Sequence, residues 1–142
     1  MIFTCDAIIP VDNKVLLIKR NTEPFKGKYA LPGGKVEDKE LIKDALIREV
    51  KEELGIDVVP FAMLGVYDVP DRDPRGRYVS IAYLCKPEGE LTKENIKASK
   101  REVESVELIP LIDIVEGKIE MAFDHIKMIK SYYAISRMGK RV

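Results

Sequence analysis

Apolar residues recur with two different periods along this chain, and each period predicts its own kind of element. Alternating apolar residues, as at Val79, Ile81 and Tyr83, indicate a strand because successive strand side chains point to opposite faces. Strands are predicted over residues 3–10, 14–20, 58–69, 78–86 and 102–109, with a shorter extended piece over 29–31. Helical spacing predicts helices over residues 41–54, 111–116 and roughly 121–138. The mixture predicts one α/β (α+β) domain over residues 1–142.

Turn-forming residues separate these elements. Asp12 and Asn13 predict a turn between the first two strands. Gly33 and Gly34 stand where the chain must turn toward the first long helix, and glycine tolerates backbone angles that other residues avoid. Gly55 is placed to end that helix in a left-handed cap.

The predicted helix over residues 41–54 carries acids on its apolar side. At 100° per residue, one broad arc holds six apolar residues, Leu41, Ile42, Ala45, Leu46, Val50 and Leu54. Glu49, Glu52 and Glu53 fall in the same arc. Two carboxylates about 4 Å apart repel by roughly 4 kcal/mol at an effective dielectric near 20. A hard divalent cation such as Mg²⁺ turns this repulsion into attraction, so the pattern predicts a metal site.

Composition limits the classes of protein that fit. Hydrophobic residues make up 46% of the 142 residues and charged residues 34%, which is typical of a folded soluble domain. Lys plus Arg and Asp plus Glu both number 24, so bulk positive charge for nucleic acid is absent. No apolar run predicts a membrane span or a secretion signal. Cys5 and Cys85 are expected to be reduced and buried, and the expected location is the cytoplasm.

The residues around this helix resemble a known family signature. The segment GKVEDKELIKDALIREVKEELGI, residues 34–56, has the residue types and spacings of a complete Nudix box. The resemblance implies a Nudix hydrolase with an αβα sandwich and a mixed β-sheet. It also implies cleavage of a pyrophosphate bond in a nucleoside diphosphate linked to another group.

The resemblance assigns roles inside and after the box. Metal ligands would be Glu49, Glu52, Glu53 and the carbonyl of Gly34, holding Mg²⁺, for which Mn²⁺ can substitute. The general base would be Glu52 or Glu53, or Glu102 from a later loop. Arg48 would orient a carboxylate or contact substrate. Glu40, at the helix start, is expected to be mainly structural.

Substrate choice must come from residues outside the box. The segment from Val66 to Leu84 resembles the region that follows the box in ADP-ribose pyrophosphatases, and residues 122–125, AFDH, also resemble that group. Arg72, Arg75 and Arg77 crowd a loop that could reach a diphosphate, and at least one of them is expected to bind substrate; the alternative is that their charges keep a hairpin loop soluble. His125 is expected at a cap or core edge of the last helix.

The preferred hypothesis is therefore Mg²⁺-dependent cleavage of ADP-ribose to AMP and ribose 5-phosphate. Hydrolysis of nucleoside triphosphates or dinucleoside polyphosphates is the alternative activity. A binding module that senses ADP-ribose without cleaving it is an alternative of another class. The expected partner is a small nucleotide, with no nucleic acid or membrane, and the resemblance implies a homodimer.

Overall fold

A computed structural model describes residues 1–139 of the chain. Its strands are β1 (Ile2–Ile8), β2 (Pro10–Val11), β3 (Lys14–Arg20), β4 (Tyr29–Ala30), β5 (Gly33–Lys35), β6 (Val58–Tyr67), β7 (Tyr78–Pro87) and β8 (Val103–Pro110). Its helices are α1 (Ile42–Leu54), α2 (Leu111–Val115) and α3 (His125–Gly139). The predicted long elements are therefore confirmed, with their ends moved by a few residues.

Two boundaries differ from the sequence-based prediction for a visible reason. Gly33 and Gly34 do not form a turn; they lie in β5, where they pair with β1. The last helix begins at His125 rather than near Met121. Met121 instead bridges to Tyr29, and Phe123 has a left-handed φ of 53°, so helical geometry cannot continue upstream of it.

The strands form two four-stranded sheets. One has the order β5-β1-β7-β6, in which β1 and β7 run parallel and the other neighbours are antiparallel. In the other, β3 pairs with β2, β4 and β8, each time antiparallel. The predicted mixed sheet is confirmed.

Helices cover both sides of the sheets. Leu16 and Ile18 of β3 pack in one core with α1, whereas their neighbours Val15 and Leu17 pack in the other core with α2 and α3. This alternation follows from the two-residue period of a strand. The predicted αβα arrangement is confirmed, and it buries Cys5 and Cys85 as free thiols whose pKa burial raises to about 12.

Helix α1 ends as predicted but begins differently. Gly55 adopts φ 70° and its N–H bonds to the Lys51 carbonyl, as a left-handed cap does. Leu41 was expected in the apolar arc, but it precedes the helix and is 72% exposed. The buried side of α1 consists of Ala45, Leu46, Val50, Leu54 and, among these apolar residues, Glu53.

Candidate active site

The acidic side of α1 faces an open cleft of about 600 Å³. The cleft is lined by Thr4, Arg20, Thr22, Gly33, Gly34, Lys35, Glu37, Glu49, Glu53, Arg75, Arg101 and Glu102. A recess of about 80 Å³ adjoins it and adds Asp6, Ile18, Leu31, Arg72, Asp73, Phe123 and His125 to its lining. Strands β1, β3 and β5, helix α1 and the segment before β8 therefore meet here.

The two glycines of β5 are required by close approach rather than by unusual backbone angles. Neither has a positive φ, so the conformational reason expected from sequence is wrong for both. A Cβ on Gly33 would overlap the Cys5 carbonyl oxygen and lie 2.9 Å from the Asp6 Cα. A Cβ on Gly34 would overlap the Glu49 carboxylate and lie 2.8 Å from its Cγ. The bare backbone of β5 therefore lets α1 bring Glu49 against the sheet.

Glu53 is the buried acid of this cleft. Its side chain points into the core side of α1, and the residue is only 7% exposed. The Gly33 N–H donates to its Oε1 at 3.2 Å. Burial raises the pKa of Glu53 to about 8, and the negative charges of Glu102, Glu49 and Asp6 add to the shift. A bound cation would therefore stabilise the ionised form of Glu53, which is otherwise disfavoured by burial and by the neighbouring acids.

Arg48 organises the acids at the open side of α1. Its Nη1 donates to Glu49 Oε1 at 2.7 Å, and its Nη2 donates to Glu40 Oε1 at 2.7 Å and to the Lys35 carbonyl at 3.0 Å. Burial raises the pKa of Glu49, and Arg48 works against that shift. Glu40 also accepts the Glu37 N–H at 2.7 Å, so it serves the turn before the helix and the arginine together.

Glu52 occupies a different environment from the other two acids. Its side chain is 60% exposed, and it contacts Arg48 Nη1 at 3.3 Å. It was expected on the buried side with Glu49 and Glu53, but it lies at the edge of the apolar arc, where α1 turns toward solvent. Glu52 does not line the cleft.

The donor set of the cleft fits a hard divalent cation. Glu49 and Glu53 supply carboxylate oxygens, both with raised pKa values, and the β5 backbone lies directly against Glu49. Across residues 1–139, no three Asp, Glu, His or Cys side chains are already arranged to hold a metal ion. In this arrangement Arg48 bonds to Glu49 and the Gly33 N–H bonds to Glu53.

The three arginines predicted to bind substrate have separate environments. Arg72 is buried and forms a two-point ion pair with Asp124, at 2.6 and 3.0 Å. Arg75 lines the cleft, but its Nε and Nη2 donate to Asp73 at 3.0 and 2.7 Å. Arg77 donates to the Asp68 carbonyl and does not line the cleft or its recess. Of the three, only Arg75 therefore lines the cleft, whereas Arg72 lines the recess with its guanidinium bonded to Asp124.

A buried polar group behind the cleft was not anticipated. Asp6 accepts the Ser80 hydroxyl, and its Oδ1 lies 3.5 Å from Nε2 of His125. His125 Nδ1 accepts the Leu31 N–H at 3.0 Å. Since burial lowers the pKa of His125, its neutral form is favoured, with the proton on Nε2 facing Asp6. His125 lies at the start of α3, as the sequence analysis expected, and ties that helix to β1.

The raised pKa of Glu53 should make the stability of the metal-free protein depend on pH. Its folded pKa of about 8 lies above the ordinary 4.5, so the folded state keeps a proton that the unfolded state releases. In EDTA, we expect the free energy of unfolding to fall from pH 6.5 to pH 8, by on the order of 1 kcal/mol per unit. Urea unfolding at each pH measures this slope, and Glu53→Gln should abolish it.

The other buried group that titrates acts in the opposite direction. The pKa of His125 is lowered in the folded state from its ordinary value of 6.5, so at the acid end of this window only the unfolded state still binds part of a proton there, and its loss raises stability as pH rises. Comparison with Glu53→Gln removes this contribution, because both proteins share it. An equal slope in the wild type and in Glu53→Gln would show that Glu53 keeps no proton in the folded protein.

The second large cavity has few of the acidic side chains that characterise the cleft. A second cavity, of about 590 Å³, lies between α2, α3 and the turn at Asp12 and Asn13, and the only acid in its lining is Asp12. Within residues 1–139, no helix is both long and apolar enough to cross a membrane.

Comparison with known proteins places this cleft in a family. The NUDIX domain family model matches residues 4–132. An ADP-ribose pyrophosphatase from Methanocaldococcus jannaschii is 44% identical over 127 residues, which cover 89% of this chain and 70% of that protein. The MutT NUDIX hydrolase structure from Burkholderia pseudomallei superposes with a TM-score of 0.78, at 29% identity, covering 91% of this chain and 95% of the other.

A structure of the NUDIX domain of Shewanella oneidensis NrtR complexed with ADP ribose is also similar. Its TM-score is 0.75 at 26% identity, and the match covers 96% of this chain and 87% of that one. The family match spans β1 to α3 and so includes every strand and helix that lines the cleft. This chain belongs to the NUDIX domain family and is a Nudix hydrolase.

Proposed function

We propose that this protein hydrolyses the pyrophosphate bond of ADP-ribose, giving AMP and ribose 5-phosphate, with Mg²⁺ as its metal ion. The observation that carries the proposal is the meeting of Glu49 and Glu53 against the β5 backbone in a cleft of about 600 Å³. That volume is within the range of small-molecule sites, roughly 300–1,000 Å³.

Several residues would hold the metal ion. Glu49 and Glu53 line the cleft, and the Gly34 carbonyl lies in the strand beside them. Glu52 would join them by rotating in from its exposed position, which requires its contact with Arg48 to break. When bound, Mg²⁺ neutralises phosphate charge and lowers the pKa of a water.

The protein's own groups then position the reactants. Arg48 restrains Glu49 and Glu52, so it limits where these carboxylates can lie. Glu102 lines the same cleft from the segment before β8 and is exposed to solvent, so it is the proposed general base. It would accept the proton as the water attacks phosphorus, and the bond from that phosphorus to the bridging oxygen would break. Glu52 and Glu53 are the alternative bases.

The choice of ADP-ribose has support from two similar proteins. The Methanocaldococcus jannaschii relative bears the name ADP-ribose pyrophosphatase, and the NrtR NUDIX domain holds ADP ribose. Both matches extend over most of this chain, so they include the cleft and the arginine-rich loop and not the box alone.

A substrate panel tests the proposal. The protein with Mg²⁺ is incubated separately with ADP-ribose, 8-oxo-dGTP, dATP and diadenosine tetraphosphate, and products are separated by chromatography. We expect AMP and ribose 5-phosphate to form fastest from ADP-ribose, and EDTA to stop the reaction. Faster turnover of a triphosphate would overturn the substrate assignment. Tight binding of ADP-ribose without products would instead indicate a sensor.

A further inference from the structure

The arginine best placed to bind substrate lies outside the loop that holds Arg72, Arg75 and Arg77. Arg20 ends strand β3 and lines both the cleft and its recess. Unlike Arg72 and Arg75, it forms no salt bridge with a carboxylate of residues 1–139. The acids Glu53, Asp73 and Glu102 favour its charged form, but none of them forms a salt bridge with it. A half-buried guanidinium that faces a cleft and is bonded to no carboxylate of residues 1–139 is open to an anion from solution.

Arg20 is nevertheless held in place. Its Nε donates to the Pro24 carbonyl at 2.8 Å, and this is its only side-chain hydrogen bond to residues 1–139. The guanidinium carbon lies 5.1 Å from the centre of the Phe123 ring, within the range of a cation–π contact. These contacts fix the guanidinium and leave its two terminal nitrogens available as donors.

A second cation shares the same ring. The Arg75 guanidinium lies 5.6 Å from the Phe123 ring centre and 4.7 Å from that of Tyr78. The two guanidinium groups therefore lie close together against one ring. The pKa of Arg20 is lowered by burial and by the positive charge of Arg75, while the charges of Glu53, Asp73 and Glu102 oppose this shift. An anion between them would relieve that repulsion, as a cation would relieve the repulsion among the acids of α1.

Arg101 is the other arginine of the cleft without a carboxylate partner in the described part of the chain. It is exposed, and no side-chain hydrogen bond or aromatic contact to residues 1–139 restrains it. Binding through Arg101 would therefore require ordering a free side chain, whereas Arg20 is already ordered.

We propose that Arg20 binds the diphosphate group of the substrate, and that Phe123 is a positioning residue that seats Arg20 beside Arg75. The inference rests on the proposed function, since it names the residue that would receive the phosphates of that substrate. Arg75 would contribute its charge with Asp73 attached, whereas Arg20 would contribute free donors.

The experiment measures affinity and turnover separately. Binding of α,β-methylene ADP, a diphosphate that resists cleavage, is measured by calorimetry with Mg²⁺, and kcat and KM are measured with ADP-ribose. Loss of charge-assisted hydrogen bonds should weaken binding and raise KM by roughly 10- to 100-fold in Arg20→Gln. The kcat value should change much less. Arg137→Gln is the matched control, because Arg137 lies over Tyr133 at 5.4 Å but outside the cleft.

Variants of Phe123 test the positioning role. Phe123→Leu should raise KM in the same direction as Arg20→Gln, whereas Phe123→Tyr, which keeps the ring, should restore the wild-type KM. Thermal unfolding of each variant separates loss of binding from loss of fold. If Arg20→Gln unfolds, Arg20→Lys, which keeps a charge but cannot donate from two terminal nitrogens, is measured in its place.

The outcomes distinguish this inference from the proposed function. If the wild type cleaves ADP-ribose while folded Arg20→Gln keeps its KM and its affinity for α,β-methylene ADP, the inference is overturned and the function stands. If ADP-ribose is not cleaved but α,β-methylene ADP binding depends on Arg20, the substrate assignment fails and the inference stands.

Discussion

Replacing Glu53 with Gln should lower kcat/KM for ADP-ribose by about 10²- to 10⁴-fold, because a weakly held metal ion would no longer supply several kcal/mol of transition-state stabilisation. The amide has the size of the carboxyl, so the packing of α1 should be kept. The substitution removes the negative charge that would hold a divalent cation at the buried end of the cleft. Steady-state kinetics with Mg²⁺ measure the effect.

Folding of this variant should be unaffected or improved. The Gly33 N–H can still donate to the amide oxygen of the new side chain, and this side chain carries no charge to desolvate at any pH. Asp44→Asn is the control, because it neutralises an exposed carboxylate elsewhere on α1. If Glu53→Gln turned over within threefold of the wild type, Glu53 would have no place in the metal site.

Replacing Gly33 with Ala should destabilise the fold by roughly 3 kcal/mol or more, at the upper end of the overpacking range. The new methyl group would collide with the Cys5 carbonyl and the Asp6 Cα, which are backbone atoms of the central strand β1. Backbone cannot swing aside, so β5 would have to separate from β1. Urea unfolding in EDTA measures the change in the free energy of unfolding without a contribution from metal binding.

Alanine substitutions at two other glycines, Gly34 and Gly65, serve as comparisons for Gly33→Ala. In Gly34→Ala the methyl group meets the Glu49 side chain, which can move, so activity should fall while stability changes less. In Gly65→Ala the atom nearest to the new methyl group is Tyr67 Cε2 at 3.6 Å, an ordinary contact. Activity and stability should therefore both stay at the wild-type level. Equal stability of Gly33→Ala and Gly65→Ala would show that β5 and β1 can separate freely.

Local sequence rules identified much of the acidic site. A helix that places carboxylates among buried apolar residues can be recognised from periodicity alone, and Glu53 is buried in α1 as that pattern requires. The same rules misplaced Glu52 and Leu41. Both lie at the margin of the apolar arc, and helical geometry does not say how far the sheet extends beneath a helix.

The choice among arginines could not be made from sequence. Arg72 and Arg75 were predicted to bind substrate because they lie close together in one loop. In the structure their guanidinium groups form ion pairs with Asp124 and Asp73. Asp124 is 52 residues from Arg72 in the chain, so no local pattern reveals the pair. Nothing in the sequence indicated that Arg20 would bind substrate, because an arginine at the end of a strand is common.

The sequence by itself determined a mixed α/β domain, the acidic helix and the family resemblance, because these depend on the order and spacing of neighbouring residues. The αβα sandwich was implied by that resemblance. The tertiary structure alone decided that Gly33 and Gly34 form a strand against β1 and that Arg20 faces the cleft without a carboxylate partner in residues 1–139. Both results depend on groups distant in the chain, since backbone clearance and charge pairing are settled only when the strands and helices pack together.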